Sequence, residues 1–123
     1  MRIPNLDQIA DLTVMPEGEY DIKVISAKDI KNKEQTRSAI MLNCKIIGEE
    51  NAKPVFHALW MGNNSDDKEK YDGMMRRVKE FIVAVGLDPN EIETNDFAGV
   101  EFTALLKIKN FNGEDSNEIA RVV

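Results

Sequence analysis

The 123-residue sequence predicts a small all-β domain, β-rich with one inserted helix. Three observations lead there. Apolar and polar residues alternate in five short segments, the period of a strand buried on one face. Between the third and fourth of these, Tyr71 to Val85 repeats its apolar residues at spacings of three and four, the period of an amphipathic helix. Turn residues punctuate the chain at Pro16-Glu17-Gly18, Gly48 to Pro54, Gly62-Asn63-Asn64-Ser65 and Asn112-Gly113.

Residues 1–15 carry only a weak helical pattern (Leu6, Ile9, Ala10, Leu12) and read as an arm or short helix packed on the domain. Pro16 fixes φ and Gly18 permits positive φ, and together they launch the first strand at Tyr20, Ile22 and Val24. Asp29 to Arg37 breaks the alternation and is expected to be a hairpin loop. The second strand, Ser38 to Ile47, sets Ile40, Leu42, Cys44 and Ile46 against Met41, Asn43 and Lys45. Val55 to Met61 is the third. Ser65 or Asp66 is expected to cap the helix, since a short side-chain oxygen accepts from the free N–H groups of the first turn. Gly86 and Pro89 end it. Val100 to Lys109 and Asn117 to Val123 supply the fourth and fifth strands around an Asn-Gly hairpin turn. No repeat or domain boundary interrupts residues 16–123.

Composition narrows the function classes. An apolar share of 42% suits a folded chain, and no apolar run approaches twenty residues. With no cationic, apolar leader in the sequence, a soluble, cytoplasmic product is expected. Cys44 is the single cysteine, which excludes an internal disulfide. Net charge is −6, unpromising for a polyanion partner, yet its distribution is uneven. Between Lys23 and Lys45, six cations (Lys23, Lys28, Lys31, Lys33, Arg37, Lys45) stand against Asp29 and Glu34. Catalytic signals are poor. One His57 and one Cys44 make no metal site of standard spacing, and no glycine-rich phosphate loop is present, so no cofactor, metal or enzymatic activity is expected.

Three strands, a helix and two strands is the element order of the OB-fold, a five-stranded, partly open Greek-key barrel with its helix between strands three and four. An SH3-like barrel suits the length but leaves no place for the central helix. The residues themselves add a resemblance. Pro16-x-Gly18-x-Tyr20, Met41-Leu42 leading to Ile47-Gly48, Phe81-Ile82-x-Ala84-Val85-Gly86-Leu87, Phe97-x-Gly99-x-x-Phe102-x-Ala104 and Asn117-x-Ile119-Ala120 occur in this order. In them the chain resembles phage-encoded single-stranded-DNA-binding proteins of the OB type over residues 16 to 123. The resemblance implies a role in phage replication, recombination or repair, in the host cytoplasm. It departs from the family in one habit, because the sequence reaches Arg121-Val122-Val123 in strand pattern rather than as an acidic tail.

Binding single strands without sequence choice requires cations along the phosphates and aromatic surfaces for the bases. If Val55, His57, Leu59 and Met61 face the core, Phe56 and Trp60 point outward. In the opposite register Trp60 is core and His57 is exposed. Lys23, Asn43 and Lys45 are the expected outward neighbours on strands one and two, with Lys31, Lys33 and Arg37 in the following loop. Lys107, Lys109 and Phe111 would reach the groove from the last hairpin, and Arg121 from the final strand. The competing reading is a protein-interaction module of a replication or recombination complex, working through the acidic helix and N-terminal region. A homodimer joined through unpaired sheet edges is a further candidate.

Overall fold

The computed structural model describes residues 1–123. Five strands form one antiparallel sheet: β1 (Gly18–Lys31), β2 (Ser38–Ile46), β3 (Val55–Trp60), β4 (Glu101–Phe111) and β5 (Glu114–Val122), in the order β3-β2-β1-β4-β5. The single helix, α1 (Lys68–Ala84), lies between β3 and β4 in the chain. The β-rich expectation with one helix in that place holds. The sheet is open: β3 and β5 are its edges and share no ladder, so strand pairing does not close the expected barrel.

Alternation explains which face is buried. Ile22 and Val24 of β1, Leu42, Cys44 and Ile46 of β2, and Ala104 and Leu106 of β4 are almost wholly shielded, because side chains two apart share one face. Val78, Phe81 and Ile82 of α1 close this core from one side. A 3₁₀ turn, Thr94–Phe97, inserts Phe97 into the same cluster at 1% exposure. Phe81 joins the two parts, meeting Phe102 edge-on at 5.7 Å and Phe97 at 6.5 Å. Tyr20 packs beside this core and donates its hydroxyl to the Pro16 carbonyl at 2.7 Å, which ties the turn residues 16–18 to the first strand.

Three details differ from the sequence-based reading. β1 runs through Asp29 to Lys31, so only residues 32–37 form the hairpin loop; pairing with Ser38 to Ile40 compensates for the polar run. The helix cap is Asp67, whose side chain accepts from the Lys70 N–H, whereas Asp66 is committed elsewhere. β4 and β5 extend to Phe111 and Glu114, because Asn112 and Gly113 take positive φ (52° and 82°) and turn the hairpin in two residues.

The N-terminal residues pack only in part. Leu6–Gln8 form an exposed 3₁₀ turn, while Thr13 to Met15 are stitched into the gap between the sheet edges. Thr13 N–H donates to Asn51 O and Thr13 O accepts from Lys53 N–H, both at 2.8 Å. Two residues on, Met15 N–H donates to Asn117 Oδ1 at 2.8 Å and Met15 O accepts from Asn117 Nδ2 at 2.9 Å. Asn117, on β5, is the one buried polar residue, at 2% exposure. Replacing it by alanine removes both partners of Met15, and an orphaned buried group costs about 1–3 kcal/mol. Asn117→Ala is therefore expected to lower unfolding free energy by about that amount and to speed amide exchange at Thr13 and Met15. Unchanged denaturation midpoints would show that water replaces the side chain freely.

Candidate functional site

Ladder register, rather than sequence proximity, assembles the outer face. Phe56 stands opposite Asn43, and Asn43 opposite Ser26, in one row across β3, β2 and β1. Next to it Lys45 faces Lys23, whose other neighbour is Glu101 of β4. Trp60 faces Ala39, two pleats from Phe56 and about 13 Å along the strand. Phe56 is exposed and His57 is not, so the first of the two registers is the one adopted. Like charges directly opposite in a sheet repel, and neither Lys23 nor Lys45 has an ion-pair partner. An anion laid over this row would relieve the repulsion.

The β4–β5 hairpin overhangs β1, whose first residue Gly18 pairs only with Leu106. It curls instead toward the start of β3, where Lys53 Nζ donates to Asp115 O at 3.0 Å and lies 3.7 Å from Glu114 Oε1. Between hairpin and strand runs a groove of about 490 Å³, lined by Phe56, Phe111, Lys109, Lys53 and Leu12 among others. Phe111 is 74% exposed and Phe56 52%, the freest aromatic rings of the protein. Three expected residues, Phe56, Lys109 and Phe111, thus converge across 55 positions of sequence. Lys53 and Leu12 join them without having been foreseen. Lys53 sits in a turn and Leu12 in the arm, and no local pattern reveals that the two sheet edges approach there.

Other candidates stand further out. Trp60 is 37% exposed and leans into a second groove, of about 340 Å³, beside Met74 and Arg77 of α1. Lys31 pairs with Ser38 at the mouth of the β1–β2 hairpin, and Lys33 is exposed in its loop. Lys107 faces Glu118, and Arg121 faces Leu105, well back from the hairpin tip. Arg37 is fully engaged. Its Nη1 donates to Met61 O at 2.9 Å and to Asp66 Oδ2 at 3.0 Å, and Nη2 donates to Asp66 Oδ1 at 2.9 Å. Asp66 also accepts from the Asn63 N–H at 2.9 Å. The Arg37 guanidinium, helped by that N–H, holds the Asp66 carboxyl well below the usual carboxylate range. This bidentate fork pins the β1–β2 loop to the entrance of α1.

The two nucleophile-type side chains lie inside. Cys44 is fully buried and burial pushes its thiol up to about 12, so it stays protonated at neutral pH. The His57 ring stacks on Phe81 with centroids 4.9 Å apart, and burial lowers its pKa from the ordinary 6.5. The sign follows from linkage. The unfolded chain takes up a proton near pH 6.5 that the folded chain refuses, so stability is complete above that pH and falls as pH drops through it. The urea midpoint is expected to decline between about pH 7.5 and 5.5. Since His57 is the only histidine, His57→Phe should flatten that interval. A decline of equal size in the variant would assign it to carboxylates.

Fold and site together define a β-rich, single-helix domain whose open sheet presents an aromatic-lined groove edged by two lysines, Lys53 and Lys109, and two acids, Glu114 and Asp115. The chain belongs to the family described as Protein of unknown function (DUF669), whose model matches residues 5–115. No curated protein matches the chain. No helix is long and apolar enough to cross a membrane.

Proposed function

We propose that this chain is an OB-type module that binds single-stranded DNA without sequence choice, and that it binds rather than catalyses. The observation that carries the reading is the pair of exposed rings, Phe56 and Phe111, set in one groove with Lys109, which has no ion-pair partner. Rings exposed by half or more contribute little to folding, and every base offers a π-face to stack on them. Strand order supports the OB reading. In that fold β1 is shared between both halves of the sheet, and β3 and β5 draw together, as the Lys53 contacts draw them here. The backbone of a bound strand would run from this groove over the Lys45–Lys23 row, where unpaired ammonium groups meet phosphate. Resemblance to phage single-stranded-DNA-binding proteins points to replication, recombination or repair as the setting, with the proteins of those processes as partners.

Titration with oligothymidylate tests this directly. Trp60, the only tryptophan, reports from the same strand as Phe56. Emission should change on binding, and a labelled oligothymidylate should gain anisotropy in parallel. With three or four phosphates contacted, log affinity should fall against log salt with a slope of about −2 to −3. An oligonucleotide that gains no anisotropy at low salt would sink the proposal.

A further inference from the structure

We propose that the groove between α1 and the β1–β2 hairpin receives the N-terminal arm, residues 1–11, of a second copy of this chain. The groove holds about 960 Å³, against about 490 Å³ for the aromatic groove, and shares no lining residue with it. Ile30, Ile40, Met61, Met75, Val78 and Ile82 line it. Its lining also includes Lys31 and Lys79, neither of which has an ion-pair partner. Asp29, the acid that lines it, accepts a hydrogen bond from Thr94 Oγ1 at 2.6 Å.

The arm is its chemical complement. Ile3, Leu6 and Ile9 are 69%, 61% and 69% exposed and recur every third residue. That spacing keeps them on one side of a backbone with three residues per turn, and Leu6–Gln8 is already such a turn. An apolar stripe left in water is unfavourable by its whole area. The arm's acids, Asp7 and Asp11, flank Leu6 and Ile9 and are opposite in charge to the two lysines, while Arg2 and the terminal ammonium lie at the arm's other end. Geometry favours another copy over the same chain. The arm is anchored at Thr13 beside Ala52, at the entry of β3, whereas the groove holds Ser38, Ala39 and Met61 at its exit. The arm's own groove is therefore at the far end of β3, about 20 Å of strand away. Ile9, four residues before Thr13, reaches at most about 14 Å from that anchor, so one chain cannot seat the whole stripe in its own groove. Donor and acceptor surfaces at opposite ends give a head-to-tail contact, which propagates as a row of subunits unless it closes into a ring. For a protein that coats a strand, such a row is the geometry of cooperative binding. The arm contact itself does not depend on DNA.

Thiol cross-linking in the full-length chain tests it. Cys44 is buried, so Leu6→Cys and Asn90→Cys each add one reactive thiol, the second on the groove lining. Mixing the two variants with a short bis-maleimide should give covalent dimers in clear excess over either variant alone. Light scattering should show mass rising with concentration in the unmodified chain, and Leu6→Asp with Ile9→Asp should abolish the rise. Closure of a doubly substituted Leu6→Cys/Asn90→Cys chain on itself at high dilution would overturn the proposal in favour of its own arm. Mass fixed at one chain, with no cross-linked dimer, would overturn it outright. Since neither readout contains DNA, failure here and failure of the nucleic-acid reading are told apart.

Discussion

Phe56→Ala and Phe111→Ala are each expected to weaken oligothymidylate binding about tenfold to a hundredfold while leaving thermal stability nearly unchanged. The size follows from stacking, worth about 1–3 kcal/mol per base, with about 1.4 kcal/mol equal to a factor of ten. The separation from stability follows from exposure, since neither ring contributes to the core cluster. The double variant should lose less than the product of the two if both rings grip the same nucleotide, because neighbours sharing a partner are not additive. Lys45→Glu should act differently. It removes a contact to phosphate and so should reduce the salt slope by about one cation's share, whereas the ring variants should leave that slope intact. Ring variants that bind at full strength would mean that the groove is not the site.

Phe97→Ala should be the most damaging single substitution to stability, by about 3–5 kcal/mol. Phe97 is 1% exposed and sits where the sheet, α1 and the connector before β4 meet. The short 3₁₀ turn that carries it is held by a reciprocal cap between Glu93 and Asp96, with the Glu93 N–H donating to Asp96 Oδ2 at 2.8 Å. That rigid backbone has little freedom to collapse into the space a lost ring leaves, which is the condition for the upper end of the range. Chemical denaturation gives the value. A loss below about 1.5 kcal/mol would mean that Phe81 and Phe102 move in to fill the void.

The strands and the helix were legible because their burial imposes a period. Ile40, Leu42, Cys44 and Ile46 announce β2, and Gly86, at φ +87°, marks the helix end where only a residue without Cβ is comfortable. Long-range consequences of the same pattern were less legible. The roles of Asp66 and Asp67 are split by an arginine 29 positions upstream, and nothing in the local sequence distinguishes the cap from the ion pair. Burial of Phe97 could not be read either, since an isolated aromatic in a polar connector has no period. At the groove, Phe56 was readable from alternation and Phe111 from its place at a hairpin tip. Their meeting depends on how far the sheet curls, which is set by twist and by the irregularities at Val24/Ser26 and Leu105/Leu106. No residue pair advertises it.

The Met15–Asn117 stitch also bears on how the chain acquires its shape. The two residues are 102 positions apart, and β1 finds its second neighbour, β4, only after some 80 intervening residues. A ribosome must therefore release nearly the whole polypeptide before the gap between the sheet edges can be filled. Until then the β1–β2–β3 meander has an uncovered apolar face, and the search is dominated by large loop closures that are slow by nature. Assembly should be late and all at once, with the arm settling last.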